Sequence, residues 1–206
     1  MRRWTRGRGT SAAKEYTATL LAATAARAQD TIKIAVIMSY SGQFADTGTQ
    51  INNGIKLYMK EHGDKVAGKK IELIAKDPGG IAPDVAKRLA QEAIVRDKVD
   101  ILAGFDLTPN ALAAADVSAQ AKKFMVNMNA ATSIITTKSP YMVRTSFTVP
   151  AVNEALGTWA YKSGIRKAYT LVSDFSPGHD GETAFQKAFK DAGGEIIGSA
   201  RYPVAN

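Results

Sequence analysis

IKIAVIMSYSGQFADTG, residues 32–48, carries an unbroken apolar run that empties into a Ser/Gly loop and then into a helical pattern. A run without polar alternation is the mark of a strand covered on both faces by helices. In an open parallel sheet, the loops at the carboxyl ends of the strands converge on a crevice where ligands bind. The loop Ser39 to Gly48 lies at such an end and is the first candidate for a site.

Downstream, Ile51, Ile55, Leu57, Tyr58 and Met59 predict a helical apolar face that ends near Gly63. Lys70 to Lys76 reads as a second strand, closed by the turn Asp77-Pro78-Gly79-Gly80. Ala86, Leu89, Ala90, Ala93 and Ile94 fall at helical spacing, with Pro83 suited to the first turn. Val99 to Phe105 is a third strand, and Thr108-Pro109 opens a helix to about Lys122, with the Thr108 hydroxyl as the expected cap. Phe124 to Met128 is a fourth strand, Asn129 to Thr132 a polar loop, and Tyr141 to Phe147 another extended piece. Such alternation implies an α/β fold with a doubly wound parallel sheet.

Thr148-Val149-Pro150 reads as a crossover into a second unit: helix 150–163, strand Lys167 to Asp174, a helix from about Asp180 to Ala192, and strand Glu195 to Val204. A unit of two strands and two helices buries little surface by itself. The expected organisation is a signal-like segment 1–28, a first lobe 29–148 and a partial second lobe 149–206, the front part of a larger two-lobed protein or a truncated gene product.

The 206 residues carry a net charge of +8, with 45% hydrophobic and 22% charged residues. Six of the basic residues and one acid lie in residues 1–28, and the remainder has a net charge of only +3. That distribution argues against a nucleic-acid groove. The same front segment has the order of a secretory signal: a basic start, an apolar stretch from Tyr16 to Ala26, and the small-x-small site Ala26-Arg27-Ala28. Cysteine is absent, which excludes disulfides, thiolate metal sites and thiol catalysis. The histidines are His62 and His179, too few for a metal cluster. No G-x-S-x-G elbow, phosphate loop or G-x-G-x-x-G turn is found, so catalysis and dinucleotide binding have little support.

Taken in order, SYSGQFADTG, DPGG, AGFDLTPNALAAADV, NMNAAT and DFSPGHDGETAFQKAF resemble type I periplasmic solute-binding proteins of branched-chain amino acid ABC transporters, the leucine/isoleucine/valine-binding family. The likeness spans residues 29–206. It implies a non-enzymatic, cofactor-free periplasmic receptor that closes two lobes on an amino acid or small carboxylate and delivers it to an ABC permease in the inner membrane. The family's hydroxyl after the third strand falls on Thr108, beside Asp106 and Leu107, and its carboxylate and ammonium grip falls on Ala130, Ala131 and Thr132. A first-loop aromatic of the family falls on Thr47, and a second-lobe tyrosine falls near Gly178 or His179. Both are departures, so the identity of the solute does not carry over.

Without any family, Thr108 and Thr132 each precede a predicted helix, where a hydroxyl and free N–H groups suit a carboxylate. Plain capping is the bland alternative for each. Asp106 is placed to receive an ammonium. Ser41 lies in a loop that brings N–H groups close to a ligand, or simply turns the chain. Phe105 either stacks on the ligand or belongs to the core, and His179 either donates to the ligand or begins a helix in solvent. The competing function is the ligand-sensing domain of a regulator with the same fold, for which residues 1–28 lack a helix-turn-helix pattern.

Overall fold

The computed structural model describes residues 31–204, so the signal-like segment 1–28 lies outside the described residues. The first sheet has the order β2-β3-β1-β4-β5-β6, built from β1 (Thr31–Ile37), β2 (Lys65–Val66), β3 (Lys69–Lys76), β4 (Ile101–Gly104), β5 (Phe124–Asn127) and β6 (Met142–Arg144). All its pairings are parallel except the short hairpin strand β2 against β3, which the sequence pattern did not announce. β1 has β3 on one side and β4 on the other, so successive crossovers leave in opposite directions at β1 and open a crevice there.

The apolar run behaves as its pattern predicts. Ala35, Val36, Ile37, Met38 and Ser39 are consecutive and all buried, which requires cover on both faces. Part of that cover is α2 (Pro83–Val95), whose Ala86, Leu89, Ala90 and Ala93 are buried, with Ile94 packed at the margin. More comes from α3 (Thr108–Ala121), which inserts Ala111, Ala114, Ala115 and Val117 into the same core. α1 (Ala45–His62) departs from its predicted face: Leu57 and Tyr58 are exposed, and Tyr58 stacks on the His62 ring at 4.2 Å.

A second, two-stranded parallel sheet pairs β7 (Lys167–Ser173) with β8 (Glu195–Tyr202). Helices α4 (Val149–Lys162) and α5 (Ser176–Asp191) pack on each other beside it. α5 begins four residues before the predicted Asp180, because Pro177 fits the first turn of a helix. Tyr169, Leu171 and Tyr202 on the sheet's other face are more than half exposed. Among the described residues, no helix is long and apolar enough to cross a membrane.

Glu182 of α5 is buried and ties helix to sheet. It accepts from Thr170 Oγ1 at 3.1 Å and from Arg201 Nε and Nη2 at 3.0 and 2.8 Å. The Arg201 guanidinium, helped by Thr170, holds the Glu182 carboxyl below its ordinary range. A depressed acid stabilises the fold fully above the unfolded pKa of about 4.3, and that contribution is lost as pH falls through the lower folded value. Glu182→Gln is therefore expected to cost about 1–2 kcal/mol at pH 7. Urea melts should show the gap to the unsubstituted protein closing below the folded pKa; a gap independent of pH would contradict the pairing.

Candidate functional site

Strands β1, β4 and β5 are neighbours and parallel, so their carboxyl ends share one edge of the first sheet. The loops that leave this edge carry Ser41, Thr108 and Thr132. Two of them meet directly: the hydroxyls of Thr108 and Thr132 are 2.7 Å apart and buried. One of the two protons closes that bond, leaving the other hydroxyl hydrogen free to donate to an anion. The meeting depends on how β4 ends. Gly104 has φ 103°, and a Cβ there would stand 2.6 Å from the Ile37 carbonyl. Phe105 follows at φ 64°, a conformation costing a non-glycine residue about 1–2 kcal/mol. The two residues turn the chain sharply off the sheet and set residues 106–108 on its rim.

The cap of α3 is Leu107, not Thr108 as expected, and Thr108 occupies the first turn with Pro109. The first helical bond shown there runs from the Ala111 N–H to the Leu107 carbonyl. The Thr108 and Asn110 N–H groups therefore precede the helical ladder, at the positive end of a fourteen-residue helix. Thr132 precedes only a short 3-10 turn, Ser133–Thr137, and its side chain does not cap it.

The first loop is held by the second. Asp77 Oδ1 accepts from the N–H groups of Tyr40 and Gly79 at 3.0 and 2.7 Å. Burial acts to raise the Asp77 pKa, but the Ser41 hydroxyl and these two N–H groups outweigh it and hold the carboxyl below its usual value. Ser41 itself is exposed, and Thr47 sits half-buried in the first turn of α1. Asn110 reaches across from α3, accepting from Ala82 N–H at 3.0 Å and donating to the Gly80 carbonyl at 2.8 Å.

Asp106 lies buried at the rim beside the threonine pair, and its Oδ1 has no hydrogen-bond partner. It is 5% exposed, and its Oδ2 accepts the Ser39 N–H at 3.2 Å, a tie between the ends of β4 and β1. Burial raises its pKa. The Ala130 carbonyl, the other acceptor that a grip on an ammonium would use, already takes the Asn127 side-chain amide at 2.5 Å. Phe105 is fully buried, which assigns it to the core and removes it from the ligand-stacking role. Leu107, Ala130 and Ala131 are buried at the rim, and the Ala131 carbonyl accepts Val149 N–H where the chain crosses into the second unit.

In that unit Gly178 and His179 lie in the first turn of α5. The His179 ring bonds Asp174 Oδ1 at 2.7 Å, so its polar contact is within its own unit. Asp180, in the next position, reaches the first unit: its carboxylate accepts Ser133 N–H at 2.8 Å and Ser133 Oγ at 3.0 Å. The sequence reading missed Asn110, Asn127 and this pair. Asn110 and Asn127 carried a signal, as polar residues on elements read as buried; Asp180 and Ser133 had none, being 47 positions apart.

A sequence profile described as "Periplasmic binding protein" matches residues 31–206. The Leu/Ile/Val-binding protein homolog 6 of Brucella abortus (strain 2308) is 46% identical over 185 residues, covering 90% of this chain and 47% of the relative. The solute-binding protein of an ABC transporter from Rhodopseudomonas palustris BisB5, solved in complex with 3,4-dihydroxy benzoic acid, is 53% identical with a TM-score of 0.84, over 86% of this chain and 49% of that one. A second R. palustris solute-binding protein, in complex with 4-hydroxybenzoate, is 44% identical with a TM-score of 0.83, over 85% and 48%. The chain thus spans about half the length of the relatives it matches.

Proposed function

The chain belongs to the periplasmic binding protein family, and on that premise we propose that it acts as an extracytoplasmic solute receptor of an ABC transporter for an aromatic carboxylate of the hydroxybenzoate class. The observation that carries this reading is the buried hydroxyl pair at the sheet's rim. The Thr108 and Thr132 hydroxyls beside the N-terminus of α3 suit a carboxylate. On the side where an ammonium would sit, Asp106 Oδ2 takes the Ser39 N–H and the Ala130 carbonyl accepts from Asn127, while Asp106 Oδ1 is a buried acceptor without a partner. The relatives solved with dihydroxybenzoic acid and hydroxybenzoate support the same class.

In this reading residues 29–148 form the first lobe, 149–206 belong to a second, and residues 1–28 direct export to the periplasm, where the loaded receptor meets a membrane permease. The role is binding without turnover. Titrating the isotopically labelled chain with 4-hydroxybenzoate and, separately, with leucine tests it, because amide shifts report even weak binding and its location. The expected result is saturable movement of the Thr108, Asn110 and Thr132 amides with 4-hydroxybenzoate and none with leucine. The reverse pattern would restore the amino-acid reading.

A further inference from the structure

We propose that Asp180 and Ser133 form a clasp that holds the two units together at the mouth of the crevice and sets how far it opens. The ligand-coupled part of this idea rests on the solute-receptor reading above; the clasp itself does not. Three observations carry it. The contact is two-pronged, with Oδ2 of Asp180 taking the Ser133 N–H at 2.8 Å and Oδ1 taking the Ser133 hydroxyl at 3.0 Å. Hydrogen bonds to an ionised carboxylate are among the stronger ones, and two of them fix orientation as well as distance. Second, the partners belong to different sheets: Ser133 follows β5 of the first, and Asp180 lies in the first turn of α5 beside the second.

The third observation is position. Ser133 is exposed, whereas its neighbour Thr132 and the bonded Thr108 are 4% and 1% exposed. The clasp therefore sits at the rim and the hydroxyl pair beneath it. A solute reaching those hydroxyls has to pass while the units are apart, and the clasp re-forms behind it. The crossover at Val149, whose N–H bonds the carbonyl of Ala131 two positions before Ser133, joins the units and is the natural pivot. Asp180 thus acts as a positioning residue that biases a closing equilibrium, not as a contact to the solute.

Because the chain has no cysteine, Glu61→Cys and Lys190→Cys can place one nitroxide on exposed α1 and one on exposed α5 without background labelling. Pulsed electron paramagnetic resonance then reads the distance between units in the absence of any solute. Asp180→Ala removes both acceptors. Ser133→Pro removes both donors, and proline is tolerated there because Thr132 is extended at ψ 140° and Ser133 begins a helical turn. Each is expected to lower the ratio of short to long distances about tenfold relative to the parent, with circular dichroism and melting temperature checking the fold. Should Asp180→Ala melt, Asp180→Asn, which keeps one acceptor, is expected to give a smaller shift in the same direction.

Unchanged distance distributions in folded variants would overturn the clasp, and so would opening by Asp180→Ala with none by Ser133→Pro. Adding 4-hydroxybenzoate separates the two proposals. Variants that open as expected, with no response of any protein to the solute, leave the clasp standing and remove the hydroxybenzoate reading.

Discussion

Gly178→Tyr, which would install the aromatic residue that the sequence resemblance implies near this position, is expected to destabilise the α5 unit by about 3 kcal/mol. Even Gly178→Ala should do most of the damage. A Cβ at 178 would lie 1.9 Å from the Ser173 carbonyl oxygen and 3.0 Å from its carbon. Both sides of that contact are backbone: the end of β7 on one, the first turn of α5 on the other. Neither can rotate away as a side chain would, so the helix has to move or the strand end has to break. The Phe175 N–H bond to the Ser173 carbonyl at 2.9 Å pins the same turn. Gly54→Ala in the middle of α1 is the control, with no atom within 4 Å of the added carbon; it is expected to stabilise by up to about 1 kcal/mol. Thermal and urea melts of the two variants decide it. A melting temperature for Gly178→Ala equal to that of the parent would mean the helix start is free to shift, and the departure from the family would then be a tolerated substitution.

Thr132→Val is expected to weaken 4-hydroxybenzoate binding by about tenfold to a hundredfold, corresponding to roughly 1.4–2.8 kcal/mol. Valine keeps the shape and removes the hydroxyl. The Thr108 hydroxyl then loses its partner at 2.7 Å in a place largely closed to water. Both members of the proposed carboxylate grip suffer from one substitution: one donor is deleted, the other is no longer oriented. Thr108→Ser is the informative companion, since it retains the hydroxyl and should stay within a fewfold of the parent. The amide-shift titration gives both constants on the same protein. Equal affinities for the two variants would show that the hydroxyl pair only holds the loops together.

Those two experiments probe different depths of legibility. The alternation of apolar runs and helical faces was enough to place β1, β3, β4, β5 and their helices within a few residues, because burial on both faces leaves no room for polar residues in Ala35 to Met38. The short strand β2 escaped notice because Lys65 and Val66 are exposed and carry no pattern. The face of α1 was drawn too wide: Leu57 and Tyr58 have the right polarity for a core, but the helix presents them to solvent. Pro177 was a better marker of the start of α5 than Asp180 was.

Within the site, threonines at two strand ends were legible as candidates, since hydroxyls before helices have few roles. Their pairing was not, and neither was the burial of Asp106. A carboxylate at the end of a strand reads the same whether it faces a solute or ties one strand end to another. The Ser39 N–H, 67 positions away in the chain, makes the difference.

By itself, the order of residues determined the layered α/β architecture, the edge on which the loops gather and the near absence of catalytic groups, because these follow from local periodicity and composition. Only the tertiary structure decided which side chains face one another across that edge. Contacts such as Thr108 with Thr132, Asp106 with Ser39 and Asp180 with Ser133 link separate elements. Their geometry is set by strand register, by the turn at Gly104 and Phe105, and by the approach of α5 to Ser173. None of these is a property of a short stretch of chain, and so none leaves a pattern in it.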